Sequence, residues 1–85
     1  MADTLPALTG VQLIRLFRQD GWSEKPKQTR EGVFFYKHFP EGMRRTVISP
    51  KRRPLTPGLL AAIIGPKQSG IGREGLAAMI EQHGL

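Results

Sequence analysis

The 85-residue sequence predicts an α+β domain of the order α-β-β-β-α with an extra short C-terminal helix and an antiparallel three-stranded sheet. Residues 29–48 place aromatic, β-branched and basic residues on both sides of a Pro-Glu-Gly turn at 40–42, which is typical of a β-hairpin. Apolar residues before and after this stretch recur at helical spacing. The length suits one domain, residues 1–85, of which residues 1–7 are expected to be loose.

The first helix is predicted between Thr9 and Gly21, since threonine caps helix N-termini and glycine commonly ends helices. At 100° per residue its apolar side chains fall on one side and its polar side chains on the other. The apolar side comprises Leu13, Ile14, Leu16 and Phe17. Trp22 follows at once, and we expect it to lie in the core at the start of a short strand.

Alternation along the first hairpin strand puts Phe34, Tyr36 and His38 on one face, with Val33 and Phe35 on the other. The second hairpin strand mixes basic and apolar residues on both faces. The pattern therefore leaves open which face of the sheet the helices cover.

Thr56 followed by Pro57 predicts the N-cap and first residue of a second helix. Residues 59–64 are apolar all round, so we expect this helix to be nearly buried. The closing helix is predicted at 73–83, with an apolar stripe along one side. Its His83 is expected to be structural or simply exposed near the helix C-terminus.

The glycine-rich stretch 65–75 superficially resembles a phosphate-binding loop. In the nucleotide-binding P-loop the lysine follows the last glycine, whereas Lys67 precedes several glycines here, so we reject nucleotide hydrolysis. Two interpretations stay open. The backbone N–H groups hold a nucleic-acid phosphate, or the stretch is a connector that needs tight turns.

The charge of the chain is concentrated in its middle third. Thirteen Lys and Arg against seven acids give a net charge of +6, and residues 25–53 contain only two of the acids, Glu31 and Glu41. The cations of this stretch are Lys25, Lys27, Arg30, Lys37, Arg44, Arg45, Lys51, Arg52 and Arg53. Such a contiguous basic element favours nucleic-acid binding over a merely solvated surface.

Composition also argues against several other classes. The chain has no cysteine, and His38 and His83 cannot form a conventional zinc site without carboxylate ligands. No apolar run approaches the ~18 residues of a membrane span, and the first residues lack the pattern of a signal peptide. We expect a cytoplasmic protein without a metal or other cofactor.

Several short stretches, taken in order, carry a family resemblance. They are LTG at 8–10, RQDGW at 18–22, the hairpin, TVI at 46–48, PL at 54–55, GLLAAII at 58–64 and GPKQSGIG at 65–72. In order and spacing they resemble the HicA (YcfA-like) family of mRNA interferase toxins from bacterial toxin–antitoxin systems. The resemblance covers nearly the whole chain and implies a double-stranded-RNA-binding-domain-like fold.

The resemblance implies that the protein binds mRNA, cleaves it as an endoribonuclease without a metal, and is neutralised by a HicB-like antitoxin protein. The expected RNA-binding residues are Lys25, Lys27, Arg30, Tyr36, Lys37, Arg44, Arg45, Lys51, Arg52, Arg53 and Lys67. Two alternatives stay open: a non-catalytic RNA-binding module, and a protein-interaction domain with a basic face.

Family members place a catalytic histidine at the start of the first hairpin strand, where this chain has Glu31, or Arg30 or Phe34 in another register. His38, farther along the strand, is a weaker candidate. Metal-independent RNA cleavage deprotonates the 2′-hydroxyl and protonates the departing oxygen, which suits a group that titrates near neutrality. A glutamate is a poor proton donor and repels the phosphate, so we expect slow cleavage or none. Two explanations for Glu31 at this position stay open: the chain is a natural variant with other chemistry, or the glutamate is an inactivating substitution.

Overall fold

The computed structural model describes residues 7–25 and 31–85. Within them the elements are α1 (Gly10–Gln19), β1 (Ser23–Glu24), β2 (Val33–Phe39), β3 (Gly42–Ile48), α2 (Pro57–Ile64) and α3 (Gly72–His83). The strands form one antiparallel sheet in the order β1-β2-β3. The predicted α+β class and three-stranded sheet are confirmed. The C-terminal helix was expected to be short, but with 12 residues α3 is the longest described helix.

Helix α1 begins and ends as its sequence predicts. The Thr9 hydroxyl accepts a hydrogen bond from the Gln12 N–H (3.1 Å), and the Gln12 side chain accepts one from the Thr9 N–H (3.0 Å), which forms a capping box. Gly21, at φ +85°, turns the chain out of the helix toward β1. The predicted apolar side is the buried one, and it packs on the sheet.

The sheet has one packed face. Val33, Phe35 and Ile48 lie under the helices and are each at most 2% exposed. The alternate residues of β2 therefore face away from the helices. This settles the sidedness that the sequence left open.

Aromatic contacts join α1 to the packed face of the sheet. The Phe17 ring lies 5.0 Å from Trp22 and 5.5 Å from Phe35, centroid to centroid, and Trp22 lies 6.0 Å from Phe39. Each such pair adds about 0.5–1.5 kcal/mol to the free energy gained by burial alone. Trp22 is 5% exposed, which confirms its predicted place in the core.

Helix α2 has the predicted cap but not the predicted burial. The Thr56 hydroxyl accepts a hydrogen bond from the Leu59 N–H (3.2 Å). Leu59 is 45% exposed, and Ala61 and Ala62 are exposed beside it. The expectation of a nearly buried helix was wrong because α2 packs against β3 and α3 on one side only. Its core side consists of Leu60, Ile63 and Ile64.

Three chain segments meet at backbone distance where β2 begins and β3 ends. A Cβ atom on Gly10 would lie 1.8 Å from the Ser49 carbonyl oxygen. A Cβ atom on Gly32, whose φ is +138°, would lie 2.2 Å from the Ile48 carbonyl oxygen. Both contacts are with backbone atoms, so only glycine fits at either position.

Gly32→Ala should therefore lower the free energy of unfolding by about 2–4 kcal/mol, because it adds a clash to a backbone conformation that alanine rarely adopts. Gly58→Ala is the matched control, since nothing lies within 4 Å of its added Cβ inside α2. It should leave stability unchanged or raise it by up to ~1 kcal/mol. Urea denaturation followed by circular dichroism measures both. Equal stability of the two variants would contradict the close approach at Gly32.

Candidate nucleic-acid interface

The unpacked side of the hairpin, here called the outer face, carries six side chains from β2 and β3. The register places Phe34 opposite Val47, Tyr36 opposite Arg45, and His38 opposite Met43. In an antiparallel pair, directly opposite residues share one face of the sheet. The outer face is thus a mixed aromatic, basic and apolar surface.

The aromatic side chains of the outer face form a row along β2. The Phe34 and Tyr36 rings lie 6.4 Å apart, and the Tyr36 and His38 rings lie 6.2 Å apart at an interplanar angle of 85°. Phe34 and Tyr36 are half-buried and His38 is exposed. Rings held side by side on a strand, with part of their surface in water, are typical of platforms on which nucleic-acid bases stack.

Three of the predicted RNA-binding cations lie beside this row. The Lys25 ammonium lies 4.9 Å from the centroid of the Phe34 ring, and Arg45 is exposed directly across the sheet from Tyr36. Lys67 lies with Phe34 and Val47 around a shallow pocket at the β3 edge of the outer face. Cations beside an aromatic row place positive charge where the phosphates of a stacked strand would run.

Lys37 belongs to the other face of β2. Its ammonium lies 3.3 Å from the Asp20 carbonyl oxygen and 3.8 Å from the Asp20 carboxylate. The same ammonium lies 5.9 Å from the Trp22 ring centroid and 5.7 Å from that of Phe39. An RNA contact by Lys37 stays a prediction, and the structure gives this cation partners within the fold.

Arg44 and Thr46 join β3 to the glycine-rich stretch. The Arg44 guanidinium donates a hydrogen bond to the Pro66 carbonyl (2.7 Å), and the Thr46 hydroxyl donates one to the Gln68 side-chain oxygen (2.6 Å). Thr46 is buried, and both residues point to the packed side of the sheet. Arg44, like Lys37, therefore has a partner within the fold.

Several backbone N–H groups of the glycine-rich stretch donate hydrogen bonds within the fold. The Ser69 hydroxyl and N–H both donate to the Ile63 carbonyl (2.6 and 3.1 Å). The N–H groups of Gln68 and Gly70 donate to the Gly65 carbonyl (3.1 and 2.8 Å). These three donors are not available to a phosphate, whereas no side chain caps the first N–H groups of α3 among the described residues, so both interpretations of the stretch stay open.

The two candidate catalytic residues lie at opposite ends of β2. Glu31 is exposed just before the strand begins, and His38 is exposed near the turn, opposite Met43. Their separation along the extended chain corresponds to roughly 20 Å at the usual rise per residue. They cannot act together on one phosphodiester.

The loop after β3 forms a second basic surface. Lys51, Arg52 and Arg53 are exposed in it, as predicted for a loop bounded by prolines. The Val11 N–H donates to the Lys51 carbonyl (3.2 Å), which holds the loop against the first turn of α1. The predicted RNA-binding residues Lys27 and Arg30 lie outside the described residues, as does the alternative catalytic register at Arg30.

Ion pairs join α1 to β1 and the end of α3 to Asp20. Arg18 forms a two-pronged pair with Glu24 (2.7 and 3.1 Å), whose hydrogen bond lowers the pKa of the Glu24 carboxyl. The stabilisation that this pair provides is lost as pH falls through the lowered pKa of Glu24. Because the pair is exposed to solvent, this stabilisation is small. His83 lies 3.4 Å from the Asp20 carboxylate, which agrees with a structural role at the end of α3.

No three His, Asp or Glu side chains among the described residues are grouped closely enough to hold a metal ion. Within the same part of the chain, no helix has the length and apolar character that crossing a membrane requires. Comparison with protein-family models, curated proteins and solved structures finds no match to this chain. The resemblance to HicA toxins thus depends on the quoted residues and the order of the elements.

Adjacent arginines on opposite faces provide the first test of this interface. Arg44→Ala should lower the free energy of unfolding by about 1 kcal/mol, since it removes a hydrogen bond to the Pro66 carbonyl. Arg45→Ala should change stability by less than ~0.5 kcal/mol, because its side chain is exposed and makes no such bond within the described residues. Urea denaturation measures both variants. The reverse order of stability would contradict the assignment of the two faces.

Proposed function

We propose that this chain is an RNA-binding domain with a double-stranded-RNA-binding-domain-like, HicA-like fold that binds mRNA on the outer face of its sheet. The observation that carries the proposal is the row of Phe34, Tyr36 and His38, which no element of the described chain covers. Antiparallel sheets commonly have one face packed on the core and one in water, so this side of the sheet is accessible to a ligand. That side carries three ring side chains and Arg45, with Lys25 and Lys67 beside Phe34.

Two kinds of contact would contribute to affinity. Bases stacked on Phe34 and Tyr36 contribute about 1–3 kcal/mol each. Arg45, Lys25 and Lys67 would meet phosphates, whose neutralisation releases counterions and makes binding salt-dependent. Phosphate contacts do not read sequence, so stacking preferences and base-edge contacts would set any sequence selectivity.

The test is the salt dependence of binding to a single-stranded RNA. With about four phosphates neutralised, the slope of log affinity against log salt should be about −3. Arg45→Ala should weaken binding and reduce that slope by about 0.7. Arg73→Ala removes the same charge from an exposed position on α3, which contributes no residue to the outer face, and is the matched control. Salt-independent binding, no binding at low salt, or equal losses in the two variants would contradict the proposal.

The catalytic part of the proposal concerns Glu31. The resemblance implies that cleavage in this family depends on a histidine at the start of β2, where this chain exposes a carboxylate instead. A carboxylate there repels the scissile phosphate and is a poor substitute for the histidine as a proton donor to the departing oxygen. We propose that the chain binds RNA and cleaves it slowly or not at all.

Glu31→His should therefore raise the rate of RNA cleavage by about 10²–10⁴-fold, the usual contribution of a positioned acid–base group. The assay uses a structured RNA in the presence of a chelator. With RNA at saturating concentration, His38→Ala in the Glu31→His background should leave the maximal cleavage rate unchanged, because His38 lies at the other end of β2 and is proposed to contribute to binding alone. Equal cleavage by the parent chain and Glu31→His would show that the catalytic position is assigned wrongly.

A protein partner is a second candidate ligand for the outer face. Met43 is 47% exposed beside the basic and aromatic residues, and an exposed apolar side chain among cations suits an acidic partner with an apolar anchor. By the resemblance, we propose that this partner is a HicB-like antitoxin. It would exclude RNA by covering the same surface.

Competition should reveal such a partner. If the partner and RNA share the outer face, titrating the product of the neighbouring gene into a preformed RNA complex should release RNA stoichiometrically. Arg45→Glu should weaken both ligands, because it reverses a charge that each of them meets. Fluorescence anisotropy of labelled RNA follows the release. A stable ternary complex would place the partner on another surface.

A further inference from the structure

A groove lies beside the start of β2, between α1 and the loop that follows β3. It has a volume of about 280 Å³, close to the ~300 Å³ lower end of small-molecule sites. Its lining residues are Val11, Ile14, Arg15, Arg18, Val33 and Pro50. The groove lies outside the row of aromatic residues on the outer face.

The groove has an apolar floor and a fixed shape. Ile14 and Val33 are 5% and 2% exposed, so the floor consists of core side chains. Val11 is held to the far wall, because its N–H donates to the Lys51 carbonyl at 3.2 Å. The close approach of Gly32 to the Ile48 carbonyl fixes the start of β2 in the same way. A fixed apolar floor of this kind is preorganised to pack against the face of a ring.

Among the described residues that line the groove, the charged ones are both arginines, Arg15 and Arg18. Arg18 is engaged with Glu24, whereas Arg15 is exposed and has no hydrogen bond or ion pair within the described residues. Lys51 and Arg52, which follow Pro50 directly, are exposed as well. A ligand with a flat apolar ring on an anionic backbone complements this arrangement, and nucleic acid has both features.

We infer that the groove binds one unstacked nucleobase of the RNA proposed above, so this inference depends on the proposed function. Val33, in the floor, is two residues from Glu31 along a chain pinned at Gly32. A nucleotide whose base occupies the groove therefore has its phosphate near residue 31. By holding this base, the groove determines which phosphodiester of the RNA lies beside residue 31. Arg15 contacts the adjoining phosphate.

The experiment combines groove variants with an oligonucleotide in which one base at a time is replaced by an abasic site. Val11→Phe fills the groove without changing charge, and it should weaken RNA binding by roughly fivefold to 100-fold with the salt slope unchanged. Removing the one base that occupies the groove should weaken the parent protein similarly. The two losses should not add, since both remove the same contact.

Pro50→Ala is the second variant, because it removes a groove wall at an exposed loop position where misfolding is not expected. Ala77→Phe, at an exposed position on α3, is the matched control for added aromatic surface. Unchanged RNA affinity in both groove variants would overturn the inference. So would affinity losses in these variants that add to the loss from every abasic site, wherever it lies in the oligonucleotide. A reduced slope in Arg15→Ala with normal affinity in Val11→Phe would mean a phosphate contact only, and would also overturn it. Failure of the parent chain to bind RNA at low salt would instead contradict the proposed function.

Discussion

The close approach of three backbone segments at Gly10, Gly32 and Ser49 is the constraint on which the arrangement of this protein depends. It fixes the start of α1, the start of β2 and the end of β3 relative to one another, with no side chain between them. The basic loop after β3 is consequently held against α1, and Glu31 projects from a fixed point at the end of the sheet. The two RNA contacts proposed at this end, a base in the groove and a phosphate at Arg15, depend on that geometry.

Packing on only one side of the sheet divides the basic residues into two groups. Lys37 and Arg44 point toward the helices, where Asp20 and the Pro66 carbonyl receive their hydrogen bonds. Arg45 points to the outer face and remains exposed. A stretch of sequence that is rich in basic residues thus becomes, once folded, partly a set of structural ties and partly an exposed surface.

Local signals in the sequence predicted the elements well, because caps and turns depend on neighbouring residues. Thr9, Thr56 and the turn at 40–42 all act as predicted. The side of the sheet that is packed could not be predicted, because β3 carries arginine on both of its faces and an arginine can tie loops together as well as bind ligands. The burial of α2 was overestimated for a related reason, since composition does not show how many neighbours a helix has. The groove had no sequence signal, because its walls come from three separate segments.

If RNA occupies the outer face of the sheet as proposed, nuclear magnetic resonance of the protein during titration with a single-stranded RNA should detect it there. Resonances of Phe34, Tyr36 and Val47 should shift together and saturate at one affinity. Those of Leu60 and Leu76, buried among the helices, should stay in place. Shifts confined to α2 and α3, with an unperturbed outer face, would contradict RNA binding at this surface.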